Sequence, residues 1–199
     1  MTTPSSTDAN YAARLRRKES AWWKRMLDVQ LPYRLHLRRL KLGFVIDVGC
    51  GIGRNLANLG VGNAVGVDPN ADAIATCKER GFVAFTPDDF TASEYARPGR
   101  FDALLVSHVL EHMPTEDAVA LVSTYLPYLA SGGRAVFITP QEAGYRSDAT
   151  HVDFVDLSKL AEITKAAGLE PVDAYSFPFP RPAGRWFKYN EFVQIARKP

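Results

Sequence analysis

A chain of 199 residues, 46% hydrophobic and 23% charged, has the make-up of one ordinary globular domain. It is long enough to bury a core without disulfides or a structural metal. Its two cysteines, Cys50 and Cys77, have neither zinc-cluster nor disulfide-framework spacing, which points to a reducing, cytoplasmic setting. No apolar run approaches the roughly 20 residues of a membrane span, and the polar N-terminus lacks an apolar signal segment. The net charge of +2 hides an asymmetry: residues 1–41 carry +7 and the rest −5. That basic arm reads as a solvated helix face or as a contact for an anionic group.

In chain order, residues 1–10, rich in Ser, Thr and Pro, read as a disordered tail. The remainder, 11–199, reads as one domain with a helical lid at 11–41 and an α/β core at 42–199. Apolar residues recur at helical spacing in the lid (Trp22, Trp23, Met26, Leu27; Leu35, Leu37, Leu40), with a break at Pro32. Strands are then expected at 44–48 (FVIDV), 64–68 (AVGVD), 82–85 (FVAF), 101–107 (FDALLVS) and 134–139 (RAVFIT). Helices are expected at 70–80, stopped by Gly81, at 115–130, closed by Gly132 and Gly133, and at 156–167, ended by Gly168. Strands near 169–175 and 191–197 finish the series. The alternation predicts a mainly parallel sheet covered by helices on both faces. The irregular stretches 140–155 and 176–190 follow strands, where open α/β sheets carry ligand-binding loops.

The densest signal is Asp47-Val-Gly49-Cys50-Gly51-Ile-Gly53-Arg54-Asn55, a strand end, a tight turn and a helix start. Glycines are expected where a ligand lies against backbone. The spacing is G-x-G-x-G after an acid, and Arg54 stands where a dinucleotide fingerprint has its third glycine. The pattern therefore fits a nucleoside bearing an amino-acid tail better than a pyrophosphate, and it disfavours a nicotinamide-dependent oxidoreductase. Asp68 closes the second strand, 21 residues after Asp47, where a carboxylate can accept both ribose hydroxyls. Asp88-Asp89-Phe90 follows the third strand, where an acid can accept from an adenine amino group while the phenyl ring packs on the base. Each acid alone also fits a helix cap or turn. Three of them at successive strand ends fit a site better.

Taken together, VIDVGCGIGRN, VGVDPN, TPDDF, FDALLVSHVLEHM and LASGGRAVFITP resemble the class I S-adenosylmethionine-dependent methyltransferases in order and spacing, over about residues 43–139. The resemblance implies a Rossmann-like, seven-stranded, mostly parallel sheet whose last strand is antiparallel. It implies that the Gly49–Gly53 backbone, with Cys50, Asp47 and Asn55, lies at the methionine part of the donor. Asp68, with Pro69 beside it, would hold the ribose, and Asp88, Asp89 or Phe90 would read the adenine. The backbone near Ser107 and His108 would hold the methionine amine. Arg34 or Arg38 in the lid, beside Trp22, Trp23 and Tyr33, would pair with the donor carboxylate.

An alcohol acceptor must lose a proton, and His is the usual base near neutral pH. His108-Val-Leu-Glu111-His112 matches an inverted zinc-protease string, but that motif needs one helix bearing both histidines, and here the first closes a strand. Glu111 and His112 are expected to border the acceptor, or His112 to pack locally. Asp148-Ala-Thr-His151-Val-Asp153-Phe154 resembles a D-x-T-H-x-x-F stretch in methyltransferases of glycans and related hydroxylated metabolites. It makes His151 the expected general base, oriented by Asp148 or Asp153. Two alternatives stay open: Glu111, Asp148, His151 and Asp153 hold a magnesium-type ion, or His151 ties the loop down. Tyr145 lies in the same loop and is an expected acceptor contact. So are Arg181, Trp186 and Tyr189 in the proline-stiffened 177–189 loop, whose rings can stack on a sugar or close the sheet.

The expected activity is O-methylation of a small hydroxylated acceptor, most simply a carbohydrate, by a monomer or homodimer. Lipid, quinone or natural-product acceptors are the nearest alternative. A nucleic-acid methyltransferase is disfavoured by the lack of an N/D-P-P-Y-like tetrad after the fourth strand. A non-catalytic cofactor-binding partner protein is disfavoured by the complete set of acids and an available His.

Overall fold

The computed structural model describes residues 30–199. The tail at 1–10 and the expected helix through Trp22, Trp23, Met26 and Leu27 lie outside the described residues. The chain forms the seven-stranded mixed sheet expected and divides into two compact units, residues 1–95 and 96–199.

In the first unit, helix α1 (Leu31–Arg39) carries Pro32 in its first turn, where a missing N–H loses nothing. Three strands follow, β1 (Val45–Val48), β2 (Ala64–Val67) and β3 (Ala84–Phe85), with β2 between the other two and all parallel. Every residue of β1 and β2 is buried, as strands covered on both faces must be. Helix α2 (Arg54–Leu59) leaves the glycine turn, and α3 (Ala71–Glu79) is capped by Asn70, whose side chain accepts from the Ala73 N–H at 3.0 Å. A short helix, α4 (Pro87–Thr91), with Thr86 as its cap, stands where the sequence indicated only a post-strand acidic turn.

Gly53 shows why that turn needs glycine for reasons beyond a ligand. Its φ is +84°, and a Cβ there would lie 2.9 Å from Phe82 Cδ2 and 3.0 Å from Cys77 Sγ. The missing side chain makes room for the protein's own packing. Gly53→Ala combines a left-handed backbone with overpacking and is expected to destabilise the protein by about 2–3 kcal/mol. A fall in melting temperature checks this, and an unchanged one refutes it.

The second unit carries β4 (Phe101–Ser107), β5 (Leu129–Pro140), β6 (Glu170–Phe177) and β7 (Glu191–Arg197), in the order β4-β5-β7-β6. Strands β4 and β5 are parallel, whereas β7 runs antiparallel to both neighbours. Strand β5 starts five residues before the expected run, through Gly132 and Gly133, and pairs irregularly with β4 between Phe101 and Ala103. Edge strand β6 is largely exposed and broken in register between Pro171 and Asp173, which blunts a face open to unwanted pairing. Helix α5 (Thr115–Tyr125) ends before the glycines expected to close it, passing through a 3-10 turn at Leu126–Tyr128. Within the stretches taken as irregular lie a 3-10 turn at Arg181–Arg185 and α6 (Glu142–Tyr145); α7 (Leu157–Ala166) follows, with Asp156 as its cap. Among the described residues, no helix is long and apolar enough to cross a membrane.

Candidate active site

In the first unit, the chain turns at Gly49, Gly51 and Gly53, all with positive φ (76°, 53° and 84°). The turn's amides are engaged internally. Gly49 and Cys50 N–H donate to Val67 O at 2.7 and 3.1 Å, and Gly53 N–H donates to Cys50 O at 3.0 Å. The Gly51 N–H donates to Asp68 Oδ2 at 2.8 Å. A pyrophosphate cradle needs such amides pointing outward, so this turn is built for a ligand other than a pyrophosphate.

Asp68 is 6% exposed, and its second oxygen accepts from the Asn70 N–H at 2.9 Å. It thus fastens the glycine turn to the end of β2, and the carboxylate keeps acceptor capacity for a ligand. Burial raises its pKa, opposed by the Asn70 and Gly51 amides. Asp47 is fully buried, and neither of its oxygens completes a hydrogen bond. Burial pushes its carboxyl up to about 7, against the pull of Asn55 and Arg54 and with a push from Asp68. An orphaned buried carboxylate beside a glycine turn is the group that a donor's amine or hydroxyl would complete, so these residues fit an adenosyl amino acid.

Other expected donor contacts change meaning. Phe90 is wholly buried and packs at 6.5 Å from the Phe85 ring, so it is core and cannot offer a face to adenine. Asp88 and Asp89 are exposed in the first turn of α4, and Pro69 is exposed beside Asp68. The Cys50 and Cys77 thiols both donate to Gly51 O, and that pairing together with burial holds the Cys50 thiol neutral. Arg34 lies half-buried on α1, while Arg38 donates to Asn58 O at 3.3 Å.

In the second unit, buried Ser107 ends β4, and His108 follows in a left-handed conformation with φ of +59°, a strained state for a side chain of that size. Its Nε2 meets Glu191 at 2.8 Å and its Nδ1 lies 3.3 Å from Glu111. Burial pulls the imidazole pKa down, but the two glutamates prevail and lift it to about 9, so His108 is a fixed cation at neutral pH. Glu191 was not singled out in the sequence. Its signal is a polar Asn190-Glu191 pair at the start of the last strand, and the pairing of Pro140 with Glu191 explains its position.

The loop after β5 is clamped to the end of β4, because Val152 and Asp153 N–H both donate to Glu111 O, at 2.7 and 3.2 Å. The clamp brings together Glu111, His112 and His151. The His151 Nδ1 donates to Tyr145 O at 2.7 Å, and its ring stacks on Tyr145 at 5.3 Å. The His112 Nδ1 donates to Thr150 O at 3.1 Å. The acids expected to orient His151 do other work. Asp153 holds Lys159 at 2.6 Å and accepts from Thr115, which lowers its pKa against the effect of burial. Asp148 accepts the Thr150 N–H and hydroxyl at 3.2 and 2.8 Å. The orienting group is the Tyr145 carbonyl, and the oxygen-rich magnesium set does not assemble.

Arg181 is likewise redirected. Its guanidinium forks onto Glu142 and lies 4.7 Å above the Phe192 ring, so it ties its loop down and is not on offer to an acceptor. Buried Gln141, also missed in the sequence, bridges Ser176, Glu191 O and Asn190 and fixes the same loop. Trp186 remains 78% exposed, and Phe179, Phe187 and Tyr189 form an exposed ladder of edge-on rings 5.4 and 5.6 Å apart.

A family model described as a methyltransferase domain matches residues 15–174. A tRNA (carboxymethyluridine(34)-5-O)-methyltransferase of Xenopus tropicalis is 32% identical over 113 residues, covering 54% of this chain and 17% of that protein. A ubiquinone biosynthesis O-methyltransferase of Methylococcus capsulatus is 34% identical over 102 residues, 47% of this chain and 41% of that protein. The chain thus spans under half the length of either relative. The crystal structure of a SAM-dependent methyltransferase from Archaeoglobus fulgidus superposes with a TM-score of 0.66 at 21% identity, covering 83% of this chain and 93% of that one. On the matched family and the shared Rossmann-like fold, the chain belongs to the class I S-adenosylmethionine-dependent methyltransferases.

Proposed function

We propose that this chain transfers a methyl group to a hydroxyl oxygen of a small acceptor, a sugar or oligosaccharide, with His151 taking the hydroxyl proton. One observation carries the reading. Tyr145 O accepts from the His151 Nδ1, so in the neutral ring the Nε2 lone pair is free and its direction is held by stacking on Tyr145.

Asp47, the Gly49–Gly53 turn and Asp68 would hold the donor. When bound, S-adenosylmethionine supplies a methyl group already activated for displacement, which leaves alignment and proton removal to the protein. The exposed rings of Trp186, Phe179, Phe187 and Tyr189 offer flat apolar faces of the kind that pack on sugar rings. Both relatives are named as O-methyltransferases, which supports oxygen as the methylated atom. A phenolic acceptor is the second reading. It is favoured by the ubiquinone relative's name and by the equal ability of these rings to stack on an aromatic face.

The test is incubation with carbon-13 methyl-labelled donor and parallel panels of sugars and phenols, reading new methoxy carbons by NMR. Sugar O-methylation supports the first reading, and label confined to phenols moves the assignment to the second. With an accepted substrate, His151→Ala should lower turnover about 100-fold or more while leaving donor affinity unchanged. An undiminished rate would remove His151 from the chemistry.

A further inference from the structure

We propose that Glu111, His112 and His151 form a binding site for one divalent transition-metal ion of the zinc, manganese, iron or cobalt type. Its open positions would take the acceptor's hydroxyl oxygen. The second clause rests on the hydroxyl-acceptor reading above; the metal site itself does not.

Three independent features converge. First, one ligand atom from each of the three side chains lies within 4.8 Å of the other two. Ligands of a bound first-row ion sit roughly 3–4 Å apart, so closure needs only small rotations. Second, Glu111 is wholly buried, and neither of its carboxylate oxygens completes a hydrogen bond. Among the described residues its ion-pair partner is His108 Nδ1, which stands at 3.3 Å and is shared with Glu191. A buried carboxylate left in this state is costly unless something completes it.

Third, both imidazoles are oriented as ligands are. His112 and His151 each donate Nδ1–H to a main-chain carbonyl, Thr150 O and Tyr145 O. This fixes the tautomer whose Nε2 carries the lone pair, the second-shell arrangement that metal-bound histidines use. Their rings lie 4.9 Å apart, close enough to share an ion. Two separate carbonyls imposing the same tautomer on neighbouring rings is more than a single catalytic base requires.

The donor set also names the metal class. Four groups rich in carboxylate would suit magnesium. Two imidazoles and one carboxylate suit a borderline transition ion. Three protein ligands on one side leave positions for outside oxygens, as catalytic sites do. An ion there would lower the pKa of a coordinated hydroxyl. With its Nε2 on the ion, His151 would be a ligand and not the base: the hydroxyl proton would leave to solvent, and the oxygen would take the donor methyl as the methyl–sulfur bond breaks, leaving S-adenosylhomocysteine.

The experiment uses the whole 199-residue chain, stripped with a chelator and titrated with cobalt(II) alone, followed by visible absorption. One equivalent should bind with new d–d bands, and magnesium should fail to displace it at tenfold excess, about the least discrimination imidazole ligands give. Glu111→Gln and His112→Ala should each weaken cobalt binding at least about 100-fold, as loss of a direct ligand exceeds the effect of second-shell changes. Retained S-adenosylhomocysteine binding would show that both variants are folded. No saturable absorption, or variants binding as the parent does, overturns the site. If the stripped protein methylates at the full rate, the hydroxyl-activating role falls and His151 stands as a metal-free base. If cobalt binds as described but no hydroxyl compound is methylated, the metal site stands and the acceptor reading falls.

Discussion

Asp68→Ala should abolish measurable donor binding and lower the melting temperature of the same protein. The carboxylate holds the Gly51 and Asn70 amides at 2.8 and 2.9 Å in a position 6% exposed. Removing it strands two buried N–H groups, at about 1–3 kcal/mol each. Relief from burying a carboxylate, seen in its raised pKa, offsets part of that loss. The turn it fastens is the one the donor would lie against. The ribose would also lose its acceptor, so two lost charge-assisted hydrogen bonds predict affinity weakened 100-fold or more, about 3 kcal/mol or above. Calorimetric titration with S-adenosylhomocysteine and a thermal melt give the two numbers. Asp68→Asn separates them. It keeps one carbonyl for one amide, so it should retain more stability than the alanine variant while still binding the donor poorly. A folded Asp68→Ala protein that binds the donor as tightly as the parent would remove Asp68 from the donor site.

How much of this was legible in the sequence depends on how locally each feature is determined. The buried runs of β1, β2 and β4 were readable because a strand covered on both faces has to be apolar throughout and needs a glycine or a polar turn to leave the sheet. The Asn70 and Asp156 caps sit within three residues of the amides they satisfy. Phe90 was misread because its spacing from Asp89 says nothing about which way α4 rolls, and packing against Phe85 turned the ring inward. The fates of Asp148, Asp153 and Arg181 depend on Thr150, Lys159 and Glu142, partners chosen by how the loop folds. Glu191 lies 83 residues from His108, and only the antiparallel pairing of β5 with β7 brings them together. The same loop fold converts an expected base-and-acid pair into two tautomer-fixed histidines beside a buried glutamate whose oxygens complete no hydrogen bond, a pattern no spacing rule encodes.

Asp47 should give the protein a pH dependence that a single substitution removes. Its carboxyl is held near 7 in the folded state against an ordinary value of 3.8. Between those values the folded chain binds a proton that the unfolded chain has released. Stability on this account is therefore full below about pH 4, falls as pH rises, and reaches its minimum above pH 7. The displacement corresponds to roughly 4 kcal/mol for the donor-free protein. Asp47→Asn keeps the shape and deletes the charge. It should melt like the parent near pH 4 and well above it at pH 8, and taking the difference between the two proteins cancels the loss His108 adds in the same direction, since its raised pKa is a stabilising charge lost as pH climbs through about 9. Donor binding supplies the complementary reading. If the donor's amine or hydroxyl completes this carboxylate, parent affinity should strengthen as pH rises through 7, while the asparagine variant stays weak and flat. Equal melting temperatures for the two proteins at pH 8 would mean that Asp47 is solvated or paired in solution, and the orphaned carboxylate would lose its claim as the donor's anchor.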